Sequence, residues 1–266
     1  MTQPTDWSFP SELRPRPEDW RFDLDQALGA LVLVRAEVPE DAYTARILGT
    51  ERAGNGVVIR DDGLVLTIGY LITEASSIWL TTGRGAVFAG HPLAYDQQTG
   101  FGLVLPLGKP GVAPLAPGSA AASRVGDDVV VAGHGGRSHA LKASLIDKRE
   151  FAGYWEYVLD EALFAAPAHP QWGGSALIGA DGKLLGIGSL LVEEKHGDRN
   201  VQGNMFVPID LLEPILDDLV TRGRAQRAAR PWLGMYTTVV SGKLVVAGLA
   251  EGAPAERAGL RIGDLV

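Results

Sequence analysis

Cysteine is missing altogether from the 266 residues. Its absence excludes disulfide staples, thiolate metal sites and cysteine nucleophiles, and does not by itself fix the compartment. Long apolar runs are missing too: the longest near the N-terminus, residues 27–34, is much too short to span a bilayer. The start, Met1-Thr2-Gln3-Pro4-Thr5-Asp6-Trp7, has neither the basic cluster nor the apolar core of a secretory signal. It reads as cytoplasmic, or as periplasmic if an upstream segment precedes it. Basic charge is in deficit, with 24 Lys and Arg against 32 Asp and Glu and a formal net charge of −8. Such a chain has no general affinity for nucleic acid or anionic lipid. A local cluster of Arg222, Arg224, Arg227 and Arg230 reads as a solvated helix end or linker. The five histidines show no metal-binding spacing, so neither metal nor cofactor is expected.

What is present suits a folded core: 46% of the residues are hydrophobic and 21% charged. Residues 1–22 hold Pro4, Pro10, Pro15 and Pro17 without periodicity, the texture of an extended arm. Short apolar runs follow, such as Leu31-Val32-Leu33-Val34, Gly56-Val57-Val58-Ile59, Leu64-Val65-Leu66-Thr67 and Val129-Val130-Val131. Each is strand length and closed by a turn signal such as Asp61-Asp62-Gly63 or Asp181-Gly182. Many short strands with few helical stretches imply an all-β sandwich or barrel. One helix stands out over 210–221, with Leu211, Leu212, Ile215, Leu216, Leu219 and Val220 as its apolar stripe. Asp210 with Glu213 is its expected capping box, Pro214 sits in its first turn, and Gly223 is its stop. A polar linker, 222–230, precedes a new start at Pro231.

Two stretches carry the chemistry. The first is Gly54-Asn55-Gly56-Val57-Val58-Ile59, followed by Gly63-Leu64-Val65-Leu66-Thr67-Ile68-Gly69-Tyr70-Leu71-Ile72. The second is His169-Pro170-Gln171-Trp172-Gly173-Gly174-Ser175-Ala176-Leu177-Ile178, running on through Gly182-Lys183-Leu184-Leu185-Gly186-Ile187. Both resemble the HtrA/Deg trypsin-like serine proteases, which typically read G-S-G-V-V-I and N-N-H-V-V in the first and G-N-S-G-G in the second. Asp96-Gln97-Gln98-Thr99-Gly100-Phe101-Gly102-Leu103-Val104 and Phe206-Val207-Pro208 are similar to further family segments. Pro231-Trp232-Leu233-Gly234-Met235 and Ala258-Gly259-Leu260-Arg261-Ile262-Gly263-Asp264 resemble parts of an attached PDZ domain.

The resemblance implies a chymotrypsin/trypsin-like double six-stranded β-barrel, with barrels over about 23–120 and 121–208. A closing helix at 210–221 and the beginning of a PDZ domain at 231–266 follow from it. A PDZ domain takes a peptide C-terminus by strand addition, which would place a peptide at Trp232, Leu233, Gly234 and Met235. Peptides or unfolded protein segments are then the expected partners. Family members commonly form trimers through N-terminal residues, and Trp7, Phe9 and Trp20 are candidate apolar anchors for a homo-oligomer.

Catalysis is where the chain departs from the pattern. A serine protease needs an imidazole to take the serine proton and a carboxylate to orient that imidazole. By the resemblance, those positions hold Tyr70 for the histidine, Gly100 for the aspartate and Gly173 for the serine. A phenol is a poor general base at neutral pH, and glycine supplies neither carboxylate nor nucleophile. The oxyanion loop is altered as well, with Gln171 where the family has glycine, next to Trp172. The expectation is a pseudo-protease that binds peptide or protein, or scaffolds, without hydrolysis. The alternative is an endopeptidase with a non-standard site using Ser175, two residues beyond the serine position. Against it, Leu177, Gly182, Leu184, Gly186 and Ile187 fit the family register only when Gly173 takes that position. His91 and His196 read as solvated, His134 as a loop residue, His139 as a strand start and His169 as a turn residue. Ser138 and Lys142 share only a spacing.

Overall fold

The computed structural model describes residues 7–153, 157–196, 199–228 and 231–266. The expectations for the first six residues and for Arg230 fall outside the described residues, as does the reading of the His196 side chain. The chain is all-β, built on two closed six-stranded barrels. The first contains β1 (Leu31–Glu37), β2 (Glu51–Val58), β3 (Val65–Ile68), β4 (Ser77–Thr82), β5 (Val87–Tyr95) and β6 (Phe101–Pro106). The second contains β7 (Asp128–Ala132), β8 (Ala140–Ala152), β9 (Val158–Ala166), β10 (Ala176–Ile178), β11 (Leu184–His196) and β12 (Arg199–Pro208). Around each barrel the order is first-second-third-sixth-fifth-fourth, so the second repeats the topology of the first. Closure leaves no open edge in either core sheet.

The apolar runs form these strands because alternate residues can be buried. In β1, Val32, Val34 and Ala36 face inward, while Arg35 and Glu37 are exposed. The turn signals work as expected. Gly63 and Gly182 take positive φ (89° and 77°), and the preceding aspartates accept the N–H groups of Leu64 and Lys183 at 3.1 and 3.2 Å.

The closing helix (Glu213–Arg222) begins later than the sequence implies. Asp210 does not cap it: a 3-10 turn, Ile209–Leu211, comes between, and Leu212 is the cap residue. The Asp210 carboxylate instead accepts from Ala120 N (2.6 Å) and Ser119 Oγ (2.9 Å), fastening the segment ahead of β7. Gly223 ends the helix in the left-handed region, its N–H on Leu219 O.

The arginine cluster is likewise only partly solvated. Arg222 pairs with Asp218, and the Arg227 guanidinium reaches across to Asp96 in the turn before Gly100. That aspartate also accepts from Thr99 N and Oγ1, so the turn is held from two sides. Beyond the linker, β13 (Met235–Val240) and β14 (Lys243–Leu249) form a two-stranded sheet followed by the short helix Pro254–Arg257.

The described part of the N-terminal segment is folded back rather than extended. Its prolines favour 3-10 turns at Ser11–Leu13 and Pro17–Asp19, and Phe9 is buried in the second barrel's core cluster with Trp7 packed against it. Trp20 packs against Phe22 with its ring tilted by 53°, centroids 5.7 Å apart. All three proposed oligomer anchors therefore have partners within their own chain. No helix among the described residues is long and apolar enough to cross a membrane.

Candidate functional site

The three altered positions meet where the barrels face each other. Tyr70 lies on a 3-10 turn, Gly69–Leu71, directly after β3. The N–H of Gly69 donates to the Gly100 carbonyl at 2.7 Å, bringing the second position alongside the first. Gly173 sits in the loop before β10, and its carbonyl accepts from the Asn55 backbone N–H (2.8 Å) and from Asn55 Nδ2 (3.3 Å). A side chain starting at Gly173 would meet the Tyr70 hydroxyl 3.0 Å from its Cβ. The phenol thus stands over Gly173.

The space beside Gly100 is filled from the other barrel. A Cβ on Gly100 would overlap the ring of Tyr157, which is buried. Both phenols then converge on Ser189 of β11. Tyr70 donates to the Ser189 carbonyl at 2.8 Å, while Tyr157 shares a short hydrogen bond with the fully buried Ser189 Oγ. Two tyrosines and a serine are thereby tied across the interface between the barrels. Arg52 fixes the tyrosine turn from behind, with Nη1 donating to Tyr70 O (2.8 Å) and Thr73 O (3.0 Å). Replacing Tyr70 by Phe removes the partly buried hydrogen bond to the Ser189 carbonyl and is expected to cost about 1 kcal/mol. A urea unfolding comparison that finds no loss would show that the hydroxyl adds nothing.

The oxyanion loop is turned inward. The Gln171 N–H donates to His169 Nδ1 at 3.0 Å, and the Gln171 carbonyl accepts from Asn55 Nδ2 at 2.9 Å. A backbone donor committed to a histidine is not aimed at a developing oxyanion. His169 is itself fully engaged. Its Nε2 donates to the His139 carbonyl at 3.0 Å, and its backbone N–H and carbonyl are held by the Asn204 amide. Accepting at Nδ1 while donating at Nε2 makes it the neutral tautomer, and burial lowers its pKa to about 4. The turn role read from the sequence is the one this geometry gives.

Ser175 is buried and gives its hydroxyl proton to the Trp172 carbonyl at 2.8 Å. It faces Gly188 of β11, where any added Cβ would overlap its Oγ. Ser138 and Lys142 do not meet: Ser138 donates to Gly135 O at 3.1 Å, and Lys142 pairs with Asp19 at 3.7 Å. His91 is exposed; His134 is half-buried, and burial lowers its pKa. Among the described residues no group of His, Asp or Glu is placed to hold a metal. A surface cleft of about 490 Å³ beside Asp25, Arg84 and Gly136 includes none of the three altered positions in its walls.

Trp232, Leu233, Gly234 and Met235 lead into the separate two-stranded sheet. Gly234 takes φ 68°, and the carbonyls of Leu233 and Gly234 accept from Ala255 N and Ala250 N. Trp232 and Leu233 are exposed, and the Trp232 ring meets Tyr43 edge-on with centroids 5.4 Å apart.

Sequence reasoning missed Tyr157, Ser189 and Asn55. Asn55 had a signal, since it stands where the first motif of the resembled family has serine. Ser189 and Tyr157 lie outside both motifs, and only the fold brings them to Gly100.

Two closed six-stranded barrels of this topology define the trypsin-like peptidase architecture. The family profile described as "Trypsin-like peptidase domain" matches residues 54–187, about half the chain, and the protein belongs to that family. Among its relatives, the serine endoprotease DegS of Haemophilus influenzae is 24% identical over 225 residues, covering 82% of this chain and 65% of the relative. The putative serine protease HhoA of Synechocystis is 27% identical, covering 80% and 59%. A probable periplasmic serine endoprotease, DegP-like, of Halomonas elongata is 24% identical, covering 80% and 46%. The chain thus spans less than two thirds of the length of these relatives. The solved HtrA-type protease AlgW with a tripeptide has the same fold at TM-score 0.60 and 18% identity, covering 92% of this chain and 82% of that one. The HtrA/Deg resemblance read from the motifs agrees with these matches.

Proposed function

We propose that this chain is a non-hydrolytic HtrA-type protein that uses the protease fold to bind peptides or unfolded segments, or as a scaffold. The observation that carries the reading is the Tyr70–Ser189–Tyr157 bridge over Gly173. It fills the general-base and carboxylate positions with phenols and leaves no nucleophile at the third. The inward-turned Gln171 N–H and the committed hydroxyl of Ser175 support it independently. Peptide recognition is carried over from solved HtrA-type relatives seen with a tripeptide and with a decapeptide. The residues that would meet a peptide by family analogy are Trp232, Leu233, Gly234 and Met235, as part of a PDZ domain over 231–266. A homo-oligomer, a trimer by the same analogy, belongs to this proposal. A periplasmic location, as the DegP-like relatives are described, belongs to the same proposal.

The test is direct. Incubated with unfolded β-casein, the protein should give no fragments, and a fluorophosphonate probe should leave it unlabelled. Ser175→Ala should behave identically to the wild type in both assays. Casein cleavage that disappears in Ser175→Ala would replace this reading with the active endopeptidase.

A further inference from the structure

The inward turn of the oxyanion loop depends on a histidine that the N-terminal segment covers. Trp7 stands edge-on to both His139 (centroids 4.6 Å apart) and His169 (5.6 Å). Phe9 meets His169 edge-on at 5.1 Å and Trp7 at the same distance. The backbone joins in, since Phe9 N donates to Ser138 O at 2.9 Å. Arg14 folds back to clamp the segment, Nε on Phe9 O at 2.6 Å and Nη2 on Ser8 Oγ at 3.1 Å. His169 in turn holds the Gln171 N–H, and His139 supplies the carbonyl that fixes the His169 ring. An unbroken line of contacts therefore runs from the segment to the loop at Gly173.

We propose that residues 7–9 are an intramolecular latch: seated, they keep His169 in the orientation that withdraws the Gln171 N–H from the cleft. Displaced, they free that N–H as a donor for a peptide carbonyl. The latch rests on the cleft reading given above and adds to it a regulated binding donor.

Two features favour a latch over plain core packing. The anchor is graded, with Phe9 buried and Trp7 only half-buried at the rim, so the outer ring can leave without opening the barrel. The coupling is also specific, because the His169 ring has two nitrogens and both are assigned. A ring freed from its aromatic cover can rotate, and rotation breaks both bonds together.

Residue-resolved amide exchange on the full chain tests this without reference to hydrolysis. In Trp7→Ala the Gln171 amide should exchange at least about tenfold faster than in the wild type, while the Val131 and Phe206 amides of the same barrel stay unchanged. Arg14→Gln, which leaves every core side chain in place and loosens only the clamp on the Phe9 carbonyl, should accelerate Gln171 in the same direction by a smaller factor. An unchanged Gln171 rate in both variants would overturn the latch. So would equal acceleration at Gln171, Val131 and Phe206, which means general loosening. Failure of the non-hydrolytic reading would appear separately, as casein cleavage with normal Gln171 exchange.

Discussion

Gly100→Asp, which puts a carboxylate where the HtrA/Deg resemblance places the family's aspartate, is expected to destabilise the protein by about 3 kcal/mol. Two terms add. The backbone there has φ 81°, a conformation disfavoured for a residue with a Cβ, and the new side chain would occupy the space of the Tyr157 ring. Overpacking of a fixed core typically costs about 1–3 kcal/mol, and this ring is held in place by its hydrogen bond to Ser189. A double-mutant cycle separates the terms. Tyr157→Ala alone removes a buried ring and costs about 3 kcal/mol. Combined with Gly100→Asp, the total should fall short of the sum by about 1–3 kcal/mol, because the clash has gone. Additive losses in urea unfolding would show that Tyr157 does not fill the space beside Gly100. The same geometry predicts that Tyr70→His, Gly100→Asp and Gly173→Ser together give no protease while His169 keeps the Gln171 N–H.

The second large effect is acid sensitivity. His169 is neutral in the folded protein with its pKa lowered to about 4, against an ordinary 6.5. Above pH 6.5 the group is neutral in both states and contributes no pH dependence. As pH falls from 6.5 towards 4 the unfolded chain binds the extra proton, so stability drops; below 4 the loss levels off. A difference of about 2.5 pH units corresponds to about 3 kcal/mol. The measurement is urea unfolding across that range for wild type and His169→Gln. The wild-type curve should fall more steeply, and parallel curves would show that some other group carries the acid response.

The double barrel was legible because β-strand period and turn chemistry agree locally, as at β1 and at the Asp62-Gly63 turn. Tyr70 and Gly173 were singled out because they sit inside the two motif stretches, and Gly100 because it lies in a shorter similar segment, 96–104. What fills the space between them was not legible. Tyr157 reaches Gly100 through the pairing of β8 with β9, which is interrupted by two register shifts, and no local pattern announces such a shift. Asp210 misled for a related reason: a capping box is a local signal, and a tertiary contact to Ser119 and Ala120 competed for the same carboxylate. The N-terminal segment misled through its prolines. They suit 3-10 turns as well as extended chain, and the burial of Phe9 decided between them.

Asn55 has a consequence for how the molecule comes apart. Its one amide accepts from His134 N at 2.7 Å and donates to the carbonyls of Gln171 and Gly173, so a strand of the first barrel completes two loops of the second. Its own carbonyl accepts from Thr67 at 2.6 Å, inside the first barrel. Neither barrel can open at this seam without stranding buried polar groups in the other. The two halves, alike in topology, therefore melt as one cooperative unit. Severing the chain between them would leave two fragments each lacking part of its own loop structure.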